Sequence, residues 1–137
     1  MSHTRIAALL EAHLGEWADA HDIPVAWENT PMDPPGGLYL QAYAMPATTT
    51  AIDLEEKLHV LPGIWQVNVI APAGNGTGPA RELADQIAAL FPVGKSMSDG
   101  VLICYISTPP TIYRGTSSGT RYSIPISMSY RMDLIVG

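Results

Sequence analysis

Arg121-Tyr122-Ser123-Ile124-Pro125-Ile126-Ser127-Met128-Ser129-Tyr130-Arg131-Met132-Asp133-Leu134 is the stretch that decides the fold. Tyr122, Ile124, Ile126, Met128, Tyr130, Met132 and Leu134 alternate without a break against Arg121, Ser123, Pro125, Ser127, Ser129, Arg131 and Asp133. A period of two sends alternate side chains to opposite faces of a sheet, so this is a half-buried strand. At roughly 3.3 Å per residue it reaches about 40 Å, far beyond the usual strand of about 5–6 residues. Pro125 removes a ladder donor, which places the strand at a sheet edge or at a bulge. A long edge strand with a Ser-rich outer side suits contact with another subunit. A bent C-terminal strand kept within its own sheet produces the same pattern.

Upstream, the apolar spacing predicts an amphipathic helix over Thr4 to His21, with Ile6, Leu9, Leu10, His13, Leu14 and Trp17 on one face. Ile23-Pro24 ends it. A short strand is expected at Val25-Ala26-Trp27, then a turn-rich loop through Asp33-Pro34-Pro35-Gly36-Gly37, then a strand over Leu38 to Met45. Pro46 to Ala51, including Thr48, Thr49 and Thr50, is small, polar and uncharged, as in a mobile loop tip. A strand around Glu55 to Val60, a turn at Pro62-Gly63 and a strand over Ile64 to Ala71 predict an antiparallel hairpin. A second helix follows Pro79 and stops at Pro92; Thr77 or Gly78 is its expected cap, and Glu82 and Asp85 suit its positive end. Val101 to Ile106 is an apolar strand, and Arg114 to Thr120 a flexible loop. The sum is two helices and five or six strands, mostly antiparallel: an α+β domain with both helices against one sheet.

The 137 residues fit one domain, 1–137, large enough for a proper core. No apolar run approaches the ~18 residues of a membrane span, and no signal-peptide pattern precedes the first helix, so the expectation is a soluble protein that is not exported. Cys104, the one cysteine, sits in an apolar run and reads as a small buried hydrophobe in a reducing compartment. The net charge of −6 argues against a general nucleic-acid or anionic-membrane surface. Through Phe91 there are eleven acidic and three basic residues, a balance of −8; beyond it Lys95, Arg114, Arg121 and Arg131 face Asp99 and Asp133, a balance of +2. Such separation suits head-to-tail assembly.

Chemistry-bearing patterns are sparse. Gly74-Asn75-Gly76-Thr77-Gly78-Pro79 lies between a strand and a helix, where an anion site is built. It lacks the Lys and Ser/Thr of a P-loop, and Pro79 removes one cradling amide. His3, His13, His21 and His59 are scattered, and His13 and His21 miss the i, i+4 spacing that converges on a metal. Glu55 and Glu56 are strand neighbours that point to opposite faces. The serines of the last strand have no Gly-x-Ser-x-Gly elbow. No catalytic residue, metal ligand or cofactor is therefore assigned.

Several segments taken in order resemble the tail terminator proteins of long-tailed bacteriophages, including a small family related to the lambda-type minor tail protein U. The matching order is an N-terminal helix, Ile23-Pro24-Val25-Ala26-Trp27-Glu28-Asn29-Thr30-Pro31, Tyr39-Leu40 and Gly63-Ile64-Trp65-Gln66-Val67-Asn68-Val69. It continues with Pro72-Ala73-Gly74-Asn75-Gly76, a helix ending Phe91-Pro92, and the closing run Ile124 to Asp133. The family often carries an aromatic where Met32 stands and a basic residue near His59. The resemblance implies a non-enzymatic virion subunit, assembled in the host cytoplasm, that forms a sixfold ring on a completed tail tube, stops its growth and presents the surface for head attachment. Its implied partners are itself, the tail tube protein and head-tail connector proteins. Read with the strand and the charge balance, the expected subunit or tube interface comprises Thr48, Thr49, Thr50, Arg114, Arg121, Pro125, Ser127, Ser129 and Arg131. A neck protein, or a phosphate- or nucleotide-binding enzyme using the Gly74–Gly78 loop, are the alternatives.

Overall fold

The computed structural model describes the chain apart from residues 1, 34, 48–49, 52–57, 75, 101 and 136–137, and describes backbone alone at 2–3, 50–51, 58–59 and 134–135. The elements are α1 (Ser2–Ala20), β1 (Val25–Trp27), β2 (Tyr39–Pro46), β3 (Thr50–Ala51), β4 (Leu58–Pro72) and α2 (Gly78–Leu90). They continue with β5 (Ser96–Ser98), β6 (Ile103–Ile106), β7 (Thr111–Ile112), β8 (Thr116–Ser118) and β9 (Arg121–Ile135). The fold is α+β. All the strands join one sheet in the order β1-β2-β4-β9-β6-β5, with β3 on β4 and with β7 and β8 on β9. Among the described residues only β1 and β2 run parallel.

Two strands of fifteen residues, β4 and β9, form the spine, paired antiparallel along their whole length from Leu58↔Ile135 to Pro72↔Arg121. This corrects two expectations. Pro62-Gly63 is not a hairpin turn, because β4 runs straight through it. β9 is not a sheet edge: β4 lies on one side of it, and β6, β7 and β8 lie in sequence along the other.

Both prolines are accommodated in the same way. In a strand the N–H and C=O of one residue point to the same side. The Pro62 carbonyl accepts from Ala47 N at 2.9 Å, so the absent Pro62 donor faces the junction where β2 has ended and β3 begins. The Pro125 carbonyl accepts from Tyr113 N at 2.9 Å, so its absent donor faces the break between β7 and β8. Each missing donor thus falls where a ladder ends rather than in the middle of one, the place where a sheet tolerates proline.

Gly63 has a packing role. It stands opposite Tyr130, and a Cβ on it would overlap the phenol ring and its hydroxyl. A Cβ on Gly115 would likewise overlap the ring and hydroxyl of Tyr122.

The hydrophobic core lies on one face of the sheet. Leu40 and Ala42 of β2, Leu61, Trp65, Val67 and Val69 of β4, and Ile124, Ile126, Met128, Tyr130 and Met132 of β9 cluster with Ile6, Leu10 and Leu14 of α1 and with Leu83, Ala84 and Ile87 of α2. Trp65, Phe91 and His13 stack edge-on in series, with centroid separations of 6.1 and 5.2 Å, tying sheet, α2 and α1 together. His13 Nε2 donates to the Leu90 carbonyl at 3.0 Å, satisfying an orphan acceptor at the end of α2. Cys104 is fully buried in this core, and burial pushes its thiol up to about 11. Thr77 precedes α2 without a side-chain cap bond, and no acidic residue falls in the first turn, so Glu82 and Asp85 do not play the dipole role expected of them.

Candidate functional site: a helix-free sheet face and a cationic cleft

The period that sends half of each long strand into the core sends the other half to a face with no helix on it. Four cross-strand rows build this face: Tyr39-Ile70-Ser123, Gln41-Asn68-Pro125, Tyr43-Gln66-Ser127 and Met45-Ile64-Ser129. Its centre is uncharged and hydrogen-bonded from strand to strand. Gln66 Nε2 donates to the Tyr43 hydroxyl (3.0 Å) and to Asn68 Oδ1 (2.9 Å), while Asn68 Nδ2 donates to the Tyr43 hydroxyl (3.2 Å) and Gln41 Oε1 (3.4 Å). Beside this net the cross-strand neighbours Met45 and Ile64 are 38% and 41% exposed.

Charge marks the two ends of the face. At one end Arg121 lies over the Tyr39 ring, 5.5 Å from its centroid, and donates to the Pro35 carbonyl at 3.0 Å, tying Pro35 to the sheet. At the other, Arg131 pairs with Asp133 at 2.7 Å, and that hydrogen bond raises its pKa. Of the expected interface residues, Arg121, Pro125, Ser127, Ser129 and Arg131 therefore share this face. Arg114 does not. Thr48 and Thr49 lie outside the described residues, and Thr50 belongs to β3. The alternation in the sequence already sets Gln41 and Tyr43, and Gln66 and Asn68, on the side of their strands away from the core, but only strand pairing makes them a net.

Arg114 belongs to a second feature, an open cleft of about 800 Å³ between α2 and the segment from Thr111 to Thr120. Arg81, Asp85, Ile112, Tyr113, Arg114 and Tyr122 are among its lining residues. The segment is not the free loop expected over Arg114 to Thr120, since β8 anchors it to β9 through Thr116↔Ser123 and Ser118↔Arg121.

The described residues of the Gly74–Gly78 loop bring no basic group to a phosphate site. Gly74 and Gly76 hold φ of +87° and +76°, as a tight turn needs. The hollow beside it is lined by Gly36, Gly37, Leu38, Ala71, Pro72, Gly76, Pro79 and Ala80, and among these described residues none carries a charge to meet an anion. Among the described residues no group of three or more His, Cys, Asp or Glu is placed to hold a metal, and no helix is long and apolar enough to cross a membrane. Glu55 and Glu56 lie outside the described residues.

Comparison with known proteins bears on these surfaces. No curated protein matches the chain. One solved structure, of a protein without a functional description, is 38% identical, covers 96% of each chain and superposes with a TM-score of 0.82. A chain from the virion of a native gene transfer agent particle, 18% identical, covers 94% of this chain and 87% of its own with a TM-score of 0.55, and so shares the fold. The family described as phage tail terminator protein matches residues 5–130, nearly the whole length. The chain belongs to the phage tail terminator family, a family of structural tail proteins.

Proposed function

We propose that this protein caps the completed tail tube as a ring of its own copies, ending tube polymerisation and forming the surface to which the filled head attaches. It does so as a structural subunit, without a reaction of its own. The observation that carries the reading, beside family membership, is the helix-free face: a broad sheet surface with side-chain donors and acceptors at its centre, an apolar pair at Met45 and Ile64, and, among the described residues, charges at its ends. A cap needs one surface that fits the last tube ring and another that does not propagate it, because the same heterologous contact on both ends would extend the filament. The two faces of this sheet differ in that way. One is covered by helices, and the other is open to a partner.

Deleting the gene tests the proposal. Phage lacking the protein should build tubes of irregular and excessive length that fail to join heads, as seen by electron microscopy. Tails of normal length carrying heads would overturn it.

A further inference from the structure

The cleft beside α2 and the far margin of the same sheet are complementary. On the cleft side, Arg81 and Arg114 outnumber the one carboxylate of the lining, Asp85, and share it with the exposed Ile112 and Tyr113, which are 39% and 54% accessible. Neither arginine makes an ion pair among the described residues. At the opposite margin, where α1 ends and β1 begins, Glu16, Asp19, Asp22 and Glu28 are all exposed. Glu11 is close enough to Glu28 that burial, then the neighbouring carboxylate, raises its pKa. No basic residue stands in the last turn of α1, so Asp19 and Asp22 add negative charge to the negative end of the helix dipole. A cation from outside would relieve both.

The two margins are also level. β1 aligns through β2 and β4 with Ile124 to Ile126 of β9, by Val25↔Leu40↔Val69↔Ile124 and Trp27↔Ala42↔Val67↔Ile126. β7 and β8 pair with Arg121 to Ser127 on the other side of β9. They are thus opposite ends of one strip across the sheet. A contact joining one end to the other on the next copy is heterologous and generates rings when its rotation closes. Arg121 and Arg131, by contrast, are already engaged within the subunit, by Tyr39 with Pro35 and by Asp133.

We infer that the cleft lined by Arg81, Ile112, Tyr113 and Arg114 receives the acidic α1–β1 margin of a second copy of this chain. The inference rests on the ring reading above and names the surfaces that would close the ring. The two arginines meet carboxylates, and Tyr113 and Ile112 supply an apolar anchor whose burial gives the contact strength that rim charges alone lack.

Charge exchange in assembled tails tests it. One variant carries Arg81→Glu with Arg114→Glu, the other Asp19→Lys with Asp22→Lys, and each must melt like the parent. Expressed alone in phage deleted for the gene, each should lose at least tenfold in tail-bound copies. Expressed together they should recover most of them, because each restored contact pairs opposite charges. Normal retention of both single-surface variants, or no recovery on mixing, overturns the inference while leaving the cap reading intact. If instead deletion of the gene leaves tail length normal, the cap reading falls. The contact is then judged on purified protein in which Arg114→Cys and Asp22→Cys are combined with Cys104→Ser. Intermolecular disulfide ladders uphold the inference and their absence ends it.

Discussion

The two faces of the β4–β9 spine are made by the same strands and share no physical logic. On the core face Trp65, Val67, Ile124, Ile126 and Met132 are between 0% and 2% exposed, packed by both helices. On the other face Gln41, Tyr43, Gln66 and Asn68 are half-buried and satisfy one another. One face is specified by shape and volume, the other by hydrogen-bonding pattern. Substitutions on the first should therefore read out in folding, and substitutions on the second in assembly.

The hardest test of this division is Trp65→Ala. Removing a fully buried indole should cost about 3–5 kcal/mol, a large part of a domain's stability, and is measured by urea unfolding. Gly63→Ala comes next, because its Cβ meets the Tyr130 ring between two strands that cannot separate; the expected loss is about 1–3 kcal/mol. Combining it with Tyr130→Leu removes the clashing end of the ring. The pair should then cost clearly less than the sum of the two changes. Additive losses would show that the strands, rather than the ring, set the limit.

Alkaline titration sharpens the comparison further. Burial raises the Cys104 thiol to about 11, and it raises the Tyr130 phenol to about 12 with help from the nearby Cys104. Both groups are neutral when protonated and ionise more readily once unfolded. Their contribution is thus complete below about pH 9 and is lost as pH rises through the folded values, each tenfold difference in proton affinity between the two states being worth roughly 1.4 kcal/mol. Stability followed by denaturant should be flat in this respect up to about pH 9 and fall from there to about pH 12, with a shallower fall in Cys104→Ala. An unchanged slope in that variant would contradict the burial argument. The smallest effect on folding belongs to the open face. Gln66→Ala or Asn68→Ala should each cost no more than about 1 kcal/mol in unfolding, yet reduce capping of tails. Loss of stability without loss of capping would reverse the assignment of the two faces.

Local patterning was enough for the elements whose signals repeat. The helix expected over Thr4 to His21 is α1, Ser2–Ala20; the one entered at Pro79 and stopped by Pro92 is α2, Gly78–Leu90; and the run from Arg121 is β9. It was not enough for β3, β5, β7 and β8, two or three residues each and mostly small or polar, without the apolar β-branched and aromatic side chains that made Val25–Trp27 legible, so that they become strands only against a partner. The site divides in the same way. The uncharged side of β9 was visible as Pro125, Ser127 and Ser129, whereas the amide net needed β2 and β4 beside it, and Arg114 joined Arg81 only through the packing of α2.

Pro62 and Pro125 mark the boundary between the two kinds of knowledge. By itself the sequence determined an α+β chain with two amphipathic helices, a long alternating closing strand and a charge imbalance between its two parts, since each follows from spacing and composition along the chain. A proline within a strand, read locally, means an edge or a turn. Whether its missing N–H costs a bond depends on what lies beside it, and here both prolines face breaks between neighbouring segments. Only the tertiary structure decided that β4 continues through Pro62 and that β9 lies inside the sheet, because strand neighbours are chosen by long-range pairing and burial that no local pattern encodes.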